Sequence, residues 1–184
     1  MLRPPPQLTV SKWADRHRML GSRGSAEPGL WRTSRAPYLK NVMDALSAVH
    51  RARRVVFTRG AQVGATESGN CWLGYIMHHV PAPVLAVQPA VESAKRFSRQ
   101  RIDPLLEEKL KRARDSEKAT LSKEFPSSIL VLTGANNAAG LRSMTALFLF
   151  LDEEDLHGRQ RRCVAGHAAI RGGRCPRPAD LGSA

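Results

Sequence analysis

Three short runs in this chain are apolar at nearly every position: "APVLAVQP" (82–89), "SSILVLTG" (127–134) and "LFLFL" (147–151). A strand with one wet face alternates polar and apolar residues, whereas unbroken apolar strands belong in a sheet covered on both faces, as parallel sheets are. A fourth run, "RVVFTR" (54–59), precedes them and reads as a short buried strand. Helical periods lie between the runs. Trp72, Tyr75, Ile76 and His79 predict a helix over about 65–79. The charged segment 90–118 predicts a second helix, broken or kinked at Pro104, which has no amide to donate. Strand, loop, helix, strand, helix is the rhythm of an α/β fold with a mostly parallel sheet flanked by helices.

Upstream, "SKWADRHRML" (11–20) predicts a short helix with Ser11 as its cap, and "GSRGSAEPG" (21–29) predicts a loop. After Pro37, the spacing of Leu39, Val42, Met43 and Leu46 predicts an amphipathic helix over 37–49. This divides the chain into an irregular and helical segment (1–35), an α/β core (36–156) and a tail (157–184). The tail carries six arginines, no lysine and one acid, Asp180. It therefore holds +5 of the formal charge of +13, leaving 13 − 5 = +8 for residues 1–156. It has no apolar period and reads as disordered or of non-native origin, such as a shifted reading frame; a basic nucleic-acid-binding tail is the competing reading.

At 184 residues the chain is long enough for one domain with its own core. Its charge favours an anionic partner, nucleic acid above all. Cys71, Cys163 and Cys175 form no close pair, which argues against a disulfide framework and for a reducing, cytoplasmic setting. The first twenty residues have no uninterrupted apolar stretch of the signal-peptide kind, and no run reaches membrane-spanning length.

Chemistry enters with "RGAQVGATE" (59–67). A phosphate loop presents consecutive amides at a helix N-terminus, where the helix dipole also favours an anion. Gly64 and Thr66 stand where such a loop carries its last glycine and its magnesium-binding hydroxyl, but Ala65 replaces the usual lysine. Arg59 opens the loop six residues earlier, and its guanidinium can bring the charge the phosphates require. Taken alone the pattern also fits a plain strand–turn–helix connection. A second element lies at the end of "LFLFLDEED" (147–155). Asp152 suits a water-mediated hold on magnesium, and Glu153 suits activation of an attacking water, which needs a carboxylate near the terminal phosphate. Glu154 and Asp155 extend the acidic cluster. Loop first, apolar strand with Asp–Glu later, is the order of a P-loop-type NTPase binding ATP and Mg2+.

Six segments in order, "GLWRTSRAPYLKNVMDAL", "VVFTRGAQVGATE", "NCWLGYIMHH", "VLAVQPAVESAKRFSRQRIDPLL", "LVLTGANNAAGLRSM" and "LFLDEED", resemble the ATPase region of phage terminase large subunits of the lambda-like GpA family. The likeness runs from about Trp13 to Asp155. It implies an ATP-driven motor that packages double-stranded DNA into a procapsid, working as a homo-oligomer with a terminase small subunit and a portal. By resemblance, Arg59 is the basic residue of a variant phosphate loop spanning Gly60, Ala61, Gln62, Val63, Gly64, Ala65 and Thr66. Asp152 resembles the Walker B acid and Glu153 the catalytic carboxylate. The family's coupling motif and metal-dependent nuclease do not follow Asp155, so the chain reads as an N-terminal fragment, truncated after the Walker B strand. A non-catalytic basic DNA-binding fragment and a helicase-like ATPase outside packaging are the competing readings.

Other residues carry a functional and a plain reading side by side. Trp31, Arg32 and Tyr38 precede the loop and can receive an adenine ring, or Trp31 and Tyr38 can pack in the core. Gln88 ends the second strand, and Arg142 lies in a glycine- and asparagine-rich loop; both fall on the edge where α/β sheets bind ligands. Lys95, Arg96, Arg99 and Arg101 surround one helix, a face for DNA phosphates or merely for solvent. His157, Cys163, His167 and Cys175 lack the close pairing of a structural zinc site. Cys71 reads as a packed thiol, and the sequence offers His78 and His79 no partner.

Overall fold

A computed structural model describes residues 8–21, 28–58, 63–109, 121–125, 128–137, 140–141 and 145–152. Arg59–Gln62, Arg142, Glu153 and the whole basic tail, on which several expectations fall, lie outside the described residues.

Helix α1 (Val10–His17) is followed by a two-residue antiparallel pairing of β1 (Met19–Leu20) with β2 (Gly29–Leu30). Thr9, not Ser11, caps α1: its hydroxyl accepts from the Lys12 amide, while the Ser11 hydroxyl donates to Asp44. After a 3-10 turn (Thr33–Arg35), α2 (Pro37–Ala45) starts on a proline, which fits the first turn because its missing N–H has no helical partner there. Helix α3 (Ala65–His79) runs over the predicted residues, and Ser68 to Met77 are all buried. Its buried indole Trp72 donates Nε1–H to the Leu46 carbonyl at 2.9 Å, and the Tyr75 hydroxyl donates to Leu8 O at 3.1 Å. These bonds fasten α2 and the start of α1 to α3 around one core of Trp13, Leu39, Met43, Trp72, Tyr75 and Ile76.

The main sheet contains β3 (Val84–Gln88), β4 (Ser122–Phe125), β5 (Ser128–Gly134) and β6 (Phe148–Leu151), in the order β4-β5-β3-β6. The pairs β3–β5 and β3–β6 are parallel, and only the β4–β5 hairpin is antiparallel. Strand β3, with a neighbour on each side, is buried at all five positions; in β6 only Phe148 is fully buried. Phe148 and Phe150, two residues apart, share a face of the sheet. Trp72 of α3 meets Phe148 edge-on at 5.9 Å, and Phe97 of α4 (Val91–Phe97) stacks on Phe150 at 6.3 Å.

Two expectations need correction. The run 54–59 forms no strand of the sheet among its described residues, beyond an isolated bridge at Arg54. Val55 and Phe57 lean on the core, but Val56 is 65% exposed, so the run is extended with one wet face. β-branched residues favour a strand, but they do not supply the partner that its amides require. The second departure concerns Pro104. The helix beginning with α4 is interrupted earlier, by a π-helical turn at Ser98–Ile102, and continues as α5 (Asp103–Lys109). Pro104 follows that turn directly, and the carbonyl four residues before it, that of Gln100, lies inside it; the widened turn takes up the clash and the lost hydrogen bond that a proline brings to a continuing helix.

Candidate nucleotide-binding site

The parallel register decides which residues meet. Gln88 pairs with Gly134, and Val87 with Leu151, so Gln88, Thr133, Gly134 and Asp152 gather at the carboxyl ends of adjacent strands. The Asp152 amide donates to Val87 O at 3.2 Å, and Gln88 Nε2 donates to Asp152 Oδ2 at 3.4 Å. Asp152 is only 9% exposed and Gln88 is buried beside it; Thr133, level with Val87 and Leu151, is buried on the opposite face of the sheet. Thr133 Oγ1 is buried without a hydrogen-bond partner among the described residues. A strand end that buries a carboxylate against an amide is not simple core packing, because buried polar groups are costly unless paired.

Helix α3 brings its N-terminus to this same edge. A Cβ built on Gly69 would lie 2.6 Å from the Phe150 ring, while Trp72, one turn later in α3, lies against Phe148. Moving back along α3 from 72 to 69 therefore climbs β6 from 148 to 150. The N-terminus of α3, with Gly64, Ala65 and Thr66, points toward the end of β6 that carries Asp152. Gly64 is the N-cap and has φ +76, a left-handed conformation that suits glycine. It gives no side-chain cap, so the first-turn amides keep no partner from that position. Ala65 and Thr66 are half-buried.

Tyr38, at the start of α2, donates its hydroxyl to Val63 O at 3.1 Å, while its side of the molecule stays open and the residue is 59% exposed. Trp31 is different: it is 8% exposed and its Nε1 donates to Thr33 Oγ1, so the indole is a core group. Of the four basic residues around the next helix, Lys95 is ion-paired with Glu92 at 2.8 Å, and Arg96 and Arg99 are exposed. Arg101 turns inward to Glu67.

Two groups were invisible to sequence reasoning because their partners are remote. Glu67 Oε2 receives Arg18 Nη2 at 3.0 Å, and its Oε1 receives Arg101 Nη1 at 2.8 Å and Asn70 Nδ2 at 3.2 Å. His78 has a partner after all: its Nδ1 accepts from Trp13 Nε1 at 2.9 Å, with the His17 ring 5.0 Å away. His79 lies against Tyr75. Cys71 is the packed thiol that the sequence suggested, with its pKa pushed up to about 12 by burial. Among the described residues no three His, Cys, Asp or Glu side chains converge on a metal position. The Asp152 carboxylate and the Thr66 hydroxyl are hard oxygen donors, the set that fits a magnesium ion sharing its shell with water and phosphate.

A mostly parallel α/β domain that brings a helix N-terminus and a buried carboxylate to the carboxyl edge of its sheet belongs to the ligand-binding α/β class. The family-model comparison makes the class specific. Residues 25–166 match the model described as "Phage terminase large subunit gpA, ATPase domain", and the chain belongs to that family. No curated protein and no solved structure matches it. No helix among the described residues is long and apolar enough to cross a membrane.

Proposed function

We propose that this chain is the ATP-hydrolysing motor portion of a phage terminase large subunit, using ATP and Mg2+ to drive double-stranded DNA into a procapsid. The observation that carries the reading is the shared edge: α3 climbs β6 toward Asp152, so the start of α3 with Thr66 and the strand end with Asp152 lie at one edge of the sheet. In this reading the amides of Gly60 to Thr66 hold the phosphates, and Arg59 supplies the positive charge that Ala65 does not. Thr66 and Asp152 would hold magnesium, with Gln88 bonded to one Asp152 oxygen. Bound magnesium neutralises charge on the terminal phosphate oxygens. Glu153 orients and deprotonates the attacking water. The exposed Tyr38 ring, held to the loop through its hydroxyl, stacks on the base; Trp31, packed in the core, takes no part.

Family membership favours the remaining partners: a ring of copies of this chain, a terminase small subunit, a portal and double-stranded DNA; the exposed Arg96 and Arg99 are the residues we assign to the duplex. The test compares ATP binding and phosphate release by the wild type and Glu153→Gln. Retained binding with release slowed about a hundredfold or more supports the motor. If neither protein binds ATP while both bind DNA, the chain is a basic DNA-binding fragment instead.

A further inference from the structure

Glu67 is the third residue of α3 after the cap Gly64. From that position a carboxylate commonly folds back and bonds the N-cap amide, closing the helix end. Here both oxygens are engaged sideways, one by Arg18 and the other by Arg101 and Asn70. Arg18 comes from the C-cap of α1 and is buried; Arg101 comes from the π-helical turn and keeps part of its side chain in solvent. Two elements distant in sequence thus grip one carboxylate next to Thr66.

We infer that Arg18 and Arg101 hold the Glu67 carboxylate off the N-terminus of α3, leaving the N-cap amide of Gly64 to an external anion. The inference rests on the reading of this loop as a phosphate site. An internal carboxylate competes with a dissolved ligand at an effective concentration that a short tether raises into the millimolar range. It would also repel phosphate oxygens through its charge. A released Glu67 is therefore an inhibitor built into the site, and the two guanidiniums are positioning residues that both restrain and neutralise it. The glycine cap sharpens the point, since Gly64 has no side chain of its own to bond the helix start.

Arg101 is the variant to use, because it is partly exposed whereas Arg18 lies in the core. In ligand-free protein, amide hydrogen exchange at Gly64 is expected to slow in Arg101→Gln, as the carboxylate oxygen that Arg101 releases turns back to the N-cap amide while Arg18 keeps the other. It should return to the wild-type rate in Arg101→Gln/Glu67→Gln. ATP and pyrophosphate binding should weaken about tenfold in the single variant and recover in the double. Arg101→Lys, which keeps the charge, should behave as wild type. Thermal unfolding of each variant establishes that it is folded. Unaltered exchange in a folded Arg101→Gln overturns the inference, as does a double variant that binds pyrophosphate more weakly than the single. If the exchange pattern appears but the wild type binds neither ATP nor pyrophosphate, the restraint on Glu67 stands and the nucleotide reading falls.

Discussion

Cys71 sits wholly inside α3, and losing its proton there would bury a thiolate. Desolvation raises its pKa from 9.0 to about 12, against an opposing pull from Arg18. The raised value means the folded state holds the proton more tightly than the unfolded chain. Its contribution to stability is therefore complete below pH 9.0 and is lost as pH climbs toward about 12. The loss approaches roughly 4 kcal/mol at the alkaline extreme, from three pKa units at 1.36 kcal/mol each. Denaturant melts between pH 8 and 11 should show the wild type losing stability more steeply than Cys71→Ala. Parallel curves would mean that the thiol is not the titrating group. At this scale the sequence was informative where chemistry is local: Cys71 was legible as packed, and Asp152 as the acid that closes an apolar strand. It was silent where partners are far away. The grip on Glu67 spans 49 and 34 residues, and the Trp13–His78 bond spans 65.

Among the elements, α3 and the three apolar strands were legible because each writes its own period into the sequence, and packing follows that period. The run 55–58 was not, since composition reports a preference for extended backbone without saying whether a neighbouring strand will accept its hydrogen bonds. The π-helical turn was half-visible: Pro104 signalled an interruption, but composition does not say that the helix widens in the turn before the proline instead of breaking at it. The seam between α3 and β6 carries the most consequence for the site, and it depends on Gly69. An added methyl there would meet Phe150 at 2.6 Å, and that ring is already confined by Trp72 and Phe97. Alanine gains about 1 kcal/mol in helix propensity, but overpacking costs about 1–3 kcal/mol. The overpacking should win because the ring is held from two further sides. Gly69→Ala is expected to lower unfolding free energy by about 1 kcal/mol and to weaken ATP binding, since Phe150 lies two residues from Asp152. A variant that is destabilised yet binds ATP normally would show that the seam does not set the position of Asp152.

For the molecule as a whole, the formal charge of +13 is divided between the folded core and residues 157–184, which carry +5 of it. Counting charges alone would credit Lys95, Arg96, Arg99 and Arg101 equally with DNA contact. The ion pairs separate them. Arg101 is committed to Glu67, and Lys95 is already balanced by Glu92, whose carboxyl pKa is lowered by that contact. Arg96 and Arg99 remain exposed on the same helical face. Each phosphate that a protein neutralises adds about 0.9 to the slope of log affinity against log salt on duplex DNA. Arg96→Gln/Arg99→Gln should therefore reduce that slope by about 1.8, uniformly across DNA sequences, while Lys95→Gln should change it little. Filter binding or anisotropy from low to physiological salt reads both numbers. If the slope is unchanged in the double variant and falls when residues 157–184 are removed, the basic tail rather than this helix meets the duplex. The core would then keep its site at the sheet edge with no DNA contact along the helix that carries Arg96 and Arg99.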